Sequence, residues 1–125
     1  MKRISWAFLP ALLLAAHAAS ATDYAEAKAL ADRDEAGLEK LTAEYLHKAQ
    51  AHAADAIVQA CAAPDADTSA FVVVARLDEN GKAVETWRQG DTPLAICFEK
   101  QLWGRTIAAP PRAPFHVSFE MSFTP

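Results

Sequence analysis

Phe115-His116-Val117-Ser118-Phe119-Glu120-Met121-Ser122-Phe123 alternates without a break between apolar and polar residues. Successive side chains of a strand point to opposite faces. The run therefore predicts a β-strand whose Phe115, Val117, Phe119, Met121 and Phe123 meet a core. His116, Ser118, Glu120 and Ser122 then face water, in an antiparallel sheet with one wet side. On this reading His116 is an exposed strand histidine.

Working back from that strand, residues 109–114 contain three prolines and can form neither a helix nor a central strand. They are expected as an extended connector. Gly90-Asp91-Thr92-Pro93 opens a short helix, with Asp91 or Thr92 as cap and Pro93 at its first position. Leu94, Cys97, Phe98 and Leu102 share one of its faces, and Gly104 ends it. Earlier still, Phe71, Val73, Ala75 and Leu77 alternate with Val72, Val74, Arg76 and Asp78 as a second strand. Asn80-Gly81 is a hairpin turn, because both residues tolerate positive φ, and it leads into a returning strand over residues 82–88.

The stretch 23–61 has no proline, a single glycine and much Ala, Leu, Glu and Lys, which is helix composition. Thr22 or Asp23 can cap it, with Glu26 completing a capping box if Asp23 is the cap. Leu38, Leu41, Tyr45, Ala49, Ala53, Ala56 and Ala60 fall on one face. Gly37 leaves two readings, one long helix or two divided near residues 34–37. The expected fold is α+β: a long N-terminal helix, then a three-stranded antiparallel sheet in β-β-α-β sequence with spatial order 2-1-3, covered on one face by helices. Trp87 and Trp103 could line a ligand pocket, but packing in its core is the expected reading.

The N-terminus reads as an export signal. Lys2 and Arg3 precede an apolar run over residues 4–16, and Ala19-Ser20-Ala21 offers small residues for cleavage between Ala21 and Thr22. An uncleaved anchor is the other reading, although His17 and Pro10 interrupt a stretch already short for a span. Expected organisation is thus residues 1–21 as signal peptide, 22–60 as helical segment and 61–125 as the ββαβ module, with a periplasmic location. Cys61 and Cys97 are the only cysteines, and in an exported domain they read as one disulfide. Chain-entropy reasoning puts its worth at about 3.8 kcal/mol, as an upper figure.

The order of these features resembles the TolA/TonB C-terminal domain group, most closely the TolA C-terminal domain. The elements that carry the resemblance are Cys61, Asn80-Gly81, Gly90-Asp91, Cys97, Pro110-Pro111 and a last strand ending Phe123-Thr124-Pro125. It spans about residues 45–125. It implies a periplasmic module that binds envelope proteins at a sheet edge. The motor-coupled anchor and long stalk of that group have no counterpart in the spacer over residues 23–59, so force transduction is not implied.

Chemistry-bearing patterns are sparse. His47 and His52 are five apart and do not share a helical face, so both are expected as solvated surface. The acidic groups Asp32, Asp34, Glu35 and Asp65, Asp67 do not follow a calcium-loop pattern. No phosphate-cradling glycine loop is present, and a net charge of −4 offers little to nucleic acid or anionic lipid. Nothing here points to an enzyme, a metal or a cofactor. The expected function is a small adaptor that captures a partner's peptide segment by β-strand addition, with His116, Val117, Ser118, Phe119 and Glu120 as the receiving edge. Alternatives are an inhibitor or immunity-type protein of a secreted enzyme, and an envelope scaffold self-associating through the Ala-rich helix.

Overall fold

The structure, a computed structural model, describes residues 21–124. The charged and apolar parts of the proposed export signal lie outside them. The elements in order are α1 (Tyr24–Ala36), α2 (Lys40–Cys61), β1 (Phe71–Leu77), β2 (Ala83–Gln89), α3 (Pro93–Leu102) and β3 (Phe115–Met121). The three strands form one antiparallel sheet in the order β2-β1-β3, as the hydrophobic alternation requires.

The Ala- and Leu-rich segment is two helices. Asp23 caps α1 by accepting a hydrogen bond from the Glu26 N–H (2.9 Å), satisfying one of the free donors of a helix start. α1 ends at Gly37, whose N–H bonds back to Arg33 O, and the chain turns through Leu38 and Glu39 into α2. The buried side of α2 is Leu46, Gln50, Ala53, Ala54 and Ile57, rotated from the face expected. Leu41 and Tyr45, at 78 % and 64 % exposure, point to water.

This division changes how the sheet is covered. Phe71, Val73, Ala75 and Leu77 of β1 join Phe115, Val117 and Phe119 of β3 in a core closed by Leu46, Ala54 and Ile57 of α2 and Leu94, Phe98 and Leu102 of α3. Phe98, Phe115 and Ile57 are wholly inaccessible, each worth about 1.5–3 kcal/mol of burial. On the opposite face Ala27 and Ala31 of α1 pack on Val74, with Tyr24, Val72 and Trp87 around them. Helices therefore cover both faces, not one. The alanines let α1 approach closely, and of the strand residues expected to be wet His116 is buried beneath it while Glu120 and Ser122 stay exposed.

Cys61, the last residue of α2, is bonded to Cys97 in α3, with the two Cα atoms 5.9 Å apart. The bridge ties together the two helices of the larger core. The β1–β2 turn uses Gly81 at φ 82°, where the chain also passes against the backbone of Ala108 so closely that a Cβ has no room. α3 starts as expected, with Thr92 Oγ1 accepting from Ala95 N (3.1 Å) and Pro93 at its first position. No described helix is long and apolar enough to cross a membrane.

Candidate functional site: two sheet edges

A three-stranded sheet has two edges, and the structure treats them differently. Along β3, Asp34 at the end of α1 is 1 % exposed and its Oδ2 accepts the His116 backbone N–H (2.9 Å). The other oxygen accepts from Arg112 Nη2 (2.7 Å) and Arg33 Nη2 (3.3 Å). Arg112 is itself held over the Phe115 ring, 5.4 Å from its centroid. One residue pair further on, Gln50 Nε2 donates to Ser118 O (3.2 Å) and to Glu35 Oε1 (3.0 Å). The edge proposed for strand addition is thus partly occupied by side chains of α1 and α2.

The five residues named for that edge sit as follows. Val117 and Phe119 point into the core at 0 % and 4 % exposure. His116 is not exposed, as expected from the alternation, but buried at 7 % beneath α1. Its ring is tilted against Trp87 (centroids 5.7 Å) and its Nδ1 lies 3.7 Å from Asp34 Oδ2. Burial holds the imidazole below its ordinary pKa, with Asp34 pulling partly the other way and Arg76 adding to the depression. The pair is beyond hydrogen-bond distance and reads as a tether between α1 and β3. Ser118 is half-buried, and Glu120 is exposed with Lys28 Nζ at 3.0 Å.

Those bonds also fix which way the rest of the sheet points. The His116 N–H and Ser118 C=O face away from β1, so their partners Arg76 and Val74 turn their own backbone groups toward β2. Arg76 pairs with Glu85 and Val74 with Trp87. Alternation then points the N–H and C=O of Thr86 and Arg88 outward from β2. The start of that edge is covered, since Ala83 N donates to Arg105 O (2.9 Å) and Gly104 N to Ala83 O (2.8 Å). Among the described residues, no side chain or loop is bonded to the outward backbone of Thr86 or Arg88.

Beside that open stretch lies a cavity of about 480 Å³ lined by Thr86, Glu99, Lys100 and Trp103. Trp103, expected in the core, is 65 % exposed at the end of α3. Ile96, two helical turns earlier on the same side, is 41 % exposed. Arg88 is fixed across the cleft by Glu99 (3.2 Å) and Asp91 (2.8 Å). Thr86, Lys100 and Trp103 carry no sequence motif; only the register of the sheet brings them together.

His47 and His52 are on the surface, as expected. Among the described residues no three His, Cys, Asp or Glu side chains are grouped to hold a metal. At the proposed cleavage point Thr22 is anchored, its carbonyl accepting from Trp87 Nε1 (2.8 Å). No family model, curated protein or solved structure matches the chain.

Proposed function

We propose that the protein is a small periplasmic adaptor of the cell envelope that captures an extended segment of a partner protein by strand addition, with β2 as the receiving edge. The observation that carries this reading is the pair of outward-facing backbone residues, Thr86 and Arg88, flanked by the exposed indole of Trp103. An added strand would bond to the N–H and C=O groups of both residues, and its side chain facing α3 would enter the cleft over Trp103. Aromatic anchors beside a desolvated edge are the usual hot spots of such contacts. The compartment rests on the export-type N-terminus together with the Cys61–Cys97 bridge. The resemblance to the TolA/TonB C-terminal group agrees with both.

The experiment is capture of partners from a periplasmic extract by the tagged, oxidised protein, compared with Thr86→Pro and Trp103→Ala. Proline at position 86 removes an N–H that faces away from β1, so the sheet itself is spared. Each variant should keep its melting temperature within a few degrees and lose about tenfold or more of its partner affinity. Equal capture by both folded variants would sink the β2 reading. Recovery of a secreted hydrolase held through other residues would favour an inhibitor.

A further inference from the structure

A second groove, of about 400 Å³, runs between the outer flank of α2 and the segment that follows α3. Tyr45, Lys48, Ala49, His52 and Ala56 recur every three or four residues, so α2 presents them along one face. Arg105, Thr106 and Ile107 form the opposite wall. That wall is pinned by its backbone. Arg105 N donates to Leu102 O (3.0 Å), Arg105 O accepts from Ala83 N (2.9 Å), and Ile107 N donates to Gly81 O (2.8 Å). Ala49 and Ile107 also pack against the larger core. Both walls are therefore set by the fold, as in sites formed before their ligand arrives.

The lining is one-sided in charge. Lys48, His52 and Arg105 belong to it and no Asp or Glu does, in a chain with 16 acidic against 12 basic side chains. Among the described residues none of the three is in an ion pair. Glu44 and Asp55 of α2 border the stripe but do not line the groove. Arg105 Nε donates to Gln101 O (3.4 Å), which ties the guanidinium to the last turn of α3. Its two Nη groups have no partner among the described residues. Between the charges the surface is apolar, with Ala49, Ala53, Ala56 and Ile107 beside the exposed ring of Tyr45. Leu41, also exposed, stands one turn before Tyr45 on the same face. Exposed apolar side chains gathered beside unpaired cations mark a place where something binds.

We propose that this groove binds a small organic acid, a carboxylate carried on a short apolar stem. Arg105 offers the planar fork that suits a carboxylate, and Lys48 and His52 add N–H donors. The stem lies on Ala49, Ala53, Ala56 and Ile107. The volume is that of a small-ligand site. Nucleic acid or a lipid surface would need a broad positive field, which a net charge of −4 does not provide. The site shares no residue with the open β2 edge, so it stands or falls separately from strand addition.

The test is an NMR titration of the oxidised mature protein with hexanoate, with hexanol as the uncharged control. The readouts are the backbone amides of Ala49 and Thr106 and the Arg105 side-chain Nε–H. Saturable shifts at millimolar concentration are expected with the acid and not with the alcohol. Acetate keeps the charge and loses the stem, so it should bind about tenfold or more weakly. Arg105→Gln should weaken hexanoate by about tenfold or more, because the charge-assisted bonds are lost. The wall is held by the backbone of Arg105, so that variant should keep its melting temperature. Lys48→Gln, on the exposed side of α2, should weaken binding severalfold without unfolding the chain. Absence of saturable shifts, equal shifts with hexanol, equal affinity for acetate or phosphate, or unchanged affinity in both folded variants would overturn the assignment. Tighter binding of acetyl-alanyl-leucine than of hexanoate would overturn the choice of a free acid in favour of a peptide's C-terminus.

Discussion

Replacing Asp34 with alanine should detach α1 from the sheet. The carboxylate is 1 % exposed and holds three partners: the His116 backbone N–H at 2.9 Å, Arg112 at 2.7 Å and Arg33 at 3.3 Å. The two guanidinium groups are more than half exposed, so each pairing contributes about 0–1 kcal/mol. The backbone bond matters more. A hydrogen bond to a charged group is worth about 1.5–3 kcal/mol, and stranding the buried donor is penalised by about 1–3 kcal/mol. These figures overlap, and a total loss of about 3 kcal/mol follows. In a domain of this size that lowers the melting temperature by roughly 12–24 °C. Asp34→Asn keeps the volume and one acceptor oxygen, so it should lose about half as much. The assay is thermal and urea unfolding, with the fluorescence of Trp87 read in a Trp103→Phe background of residues 22–125, where it is the sole tryptophan. Trp87 packs against α1 and His116, so its emission should shift to the red in Asp34→Ala before the sheet unfolds. A loss below about 1 kcal/mol, or no change in Trp87 emission, would refute the idea that this carboxylate holds α1 in place.

Two further outcomes follow from the same packing. Reduction of Cys61–Cys97 should cost up to about 3.8 kcal/mol, and Cys97→Ala should reproduce that loss, since the bridge links α2 to α3; an unchanged melt would contradict it. Stability should also fall as the pH drops through about 6.5, the ordinary histidine value. The folded state holds His116 below that value, so the unfolded chain binds the extra proton in this window and is favoured by acidification. Glu35 acts in the opposite sense, because its raised folded-state pKa costs stability as the pH rises from the ordinary carboxylate range. His116→Phe keeps the backbone bond to Asp34 and the contact with Trp87, and should flatten the melting curve between pH 7 and 5.5. An equal slope in that variant would place the titrating group elsewhere.

The sheet was legible because its information is carried by large side chains at a strict period of two. Phe115, Val117 and Phe119 have one sheltered direction available, and Gly81 supplies the positive φ the turn needs. The position of α1 was not legible for the opposite reason. Ala27 and Ala31 bury little area each, and between them stand Lys28 and Asp32, so the helix shows almost no apolar stripe. It binds the sheet through Asp34 and the close approach that alanine permits, neither of which has a period. His116 and Ser118 therefore look like a wet strand face until the chain returns over them. Gln50 was hidden for the same reason: a polar residue on the buried face of α2 interrupts the stripe that would have set that face. Trp103 went wrong in the other direction, because a large aromatic residue carries a strong prior for burial that the end of α3 does not honour.

The unequal treatment of the two edges is what gives the β2 stretch its meaning. An unpaired strand edge invites association with other chains, and natural sheets blunt it with covering segments, charges or bulges. This fold uses these devices. Asp34 and Gln50 take up backbone groups of β3, residues 104–107 cover the first part of β2, and the β1–β2 ladder carries an irregularity at Arg76/Leu77. With so much of the boundary closed, the stretch at Thr86 and Arg88 is not open because the fold lacks means to close it. It is also the stretch beside which α3 exposes Trp103, a side chain a monomer gains little by leaving in water. An edge left open by accident would have no reason to coincide with an exposed tryptophan, whereas a receiving edge needs both the backbone groups and the anchor in one place. That coincidence is why we propose β2, and not β3, as the receiving edge.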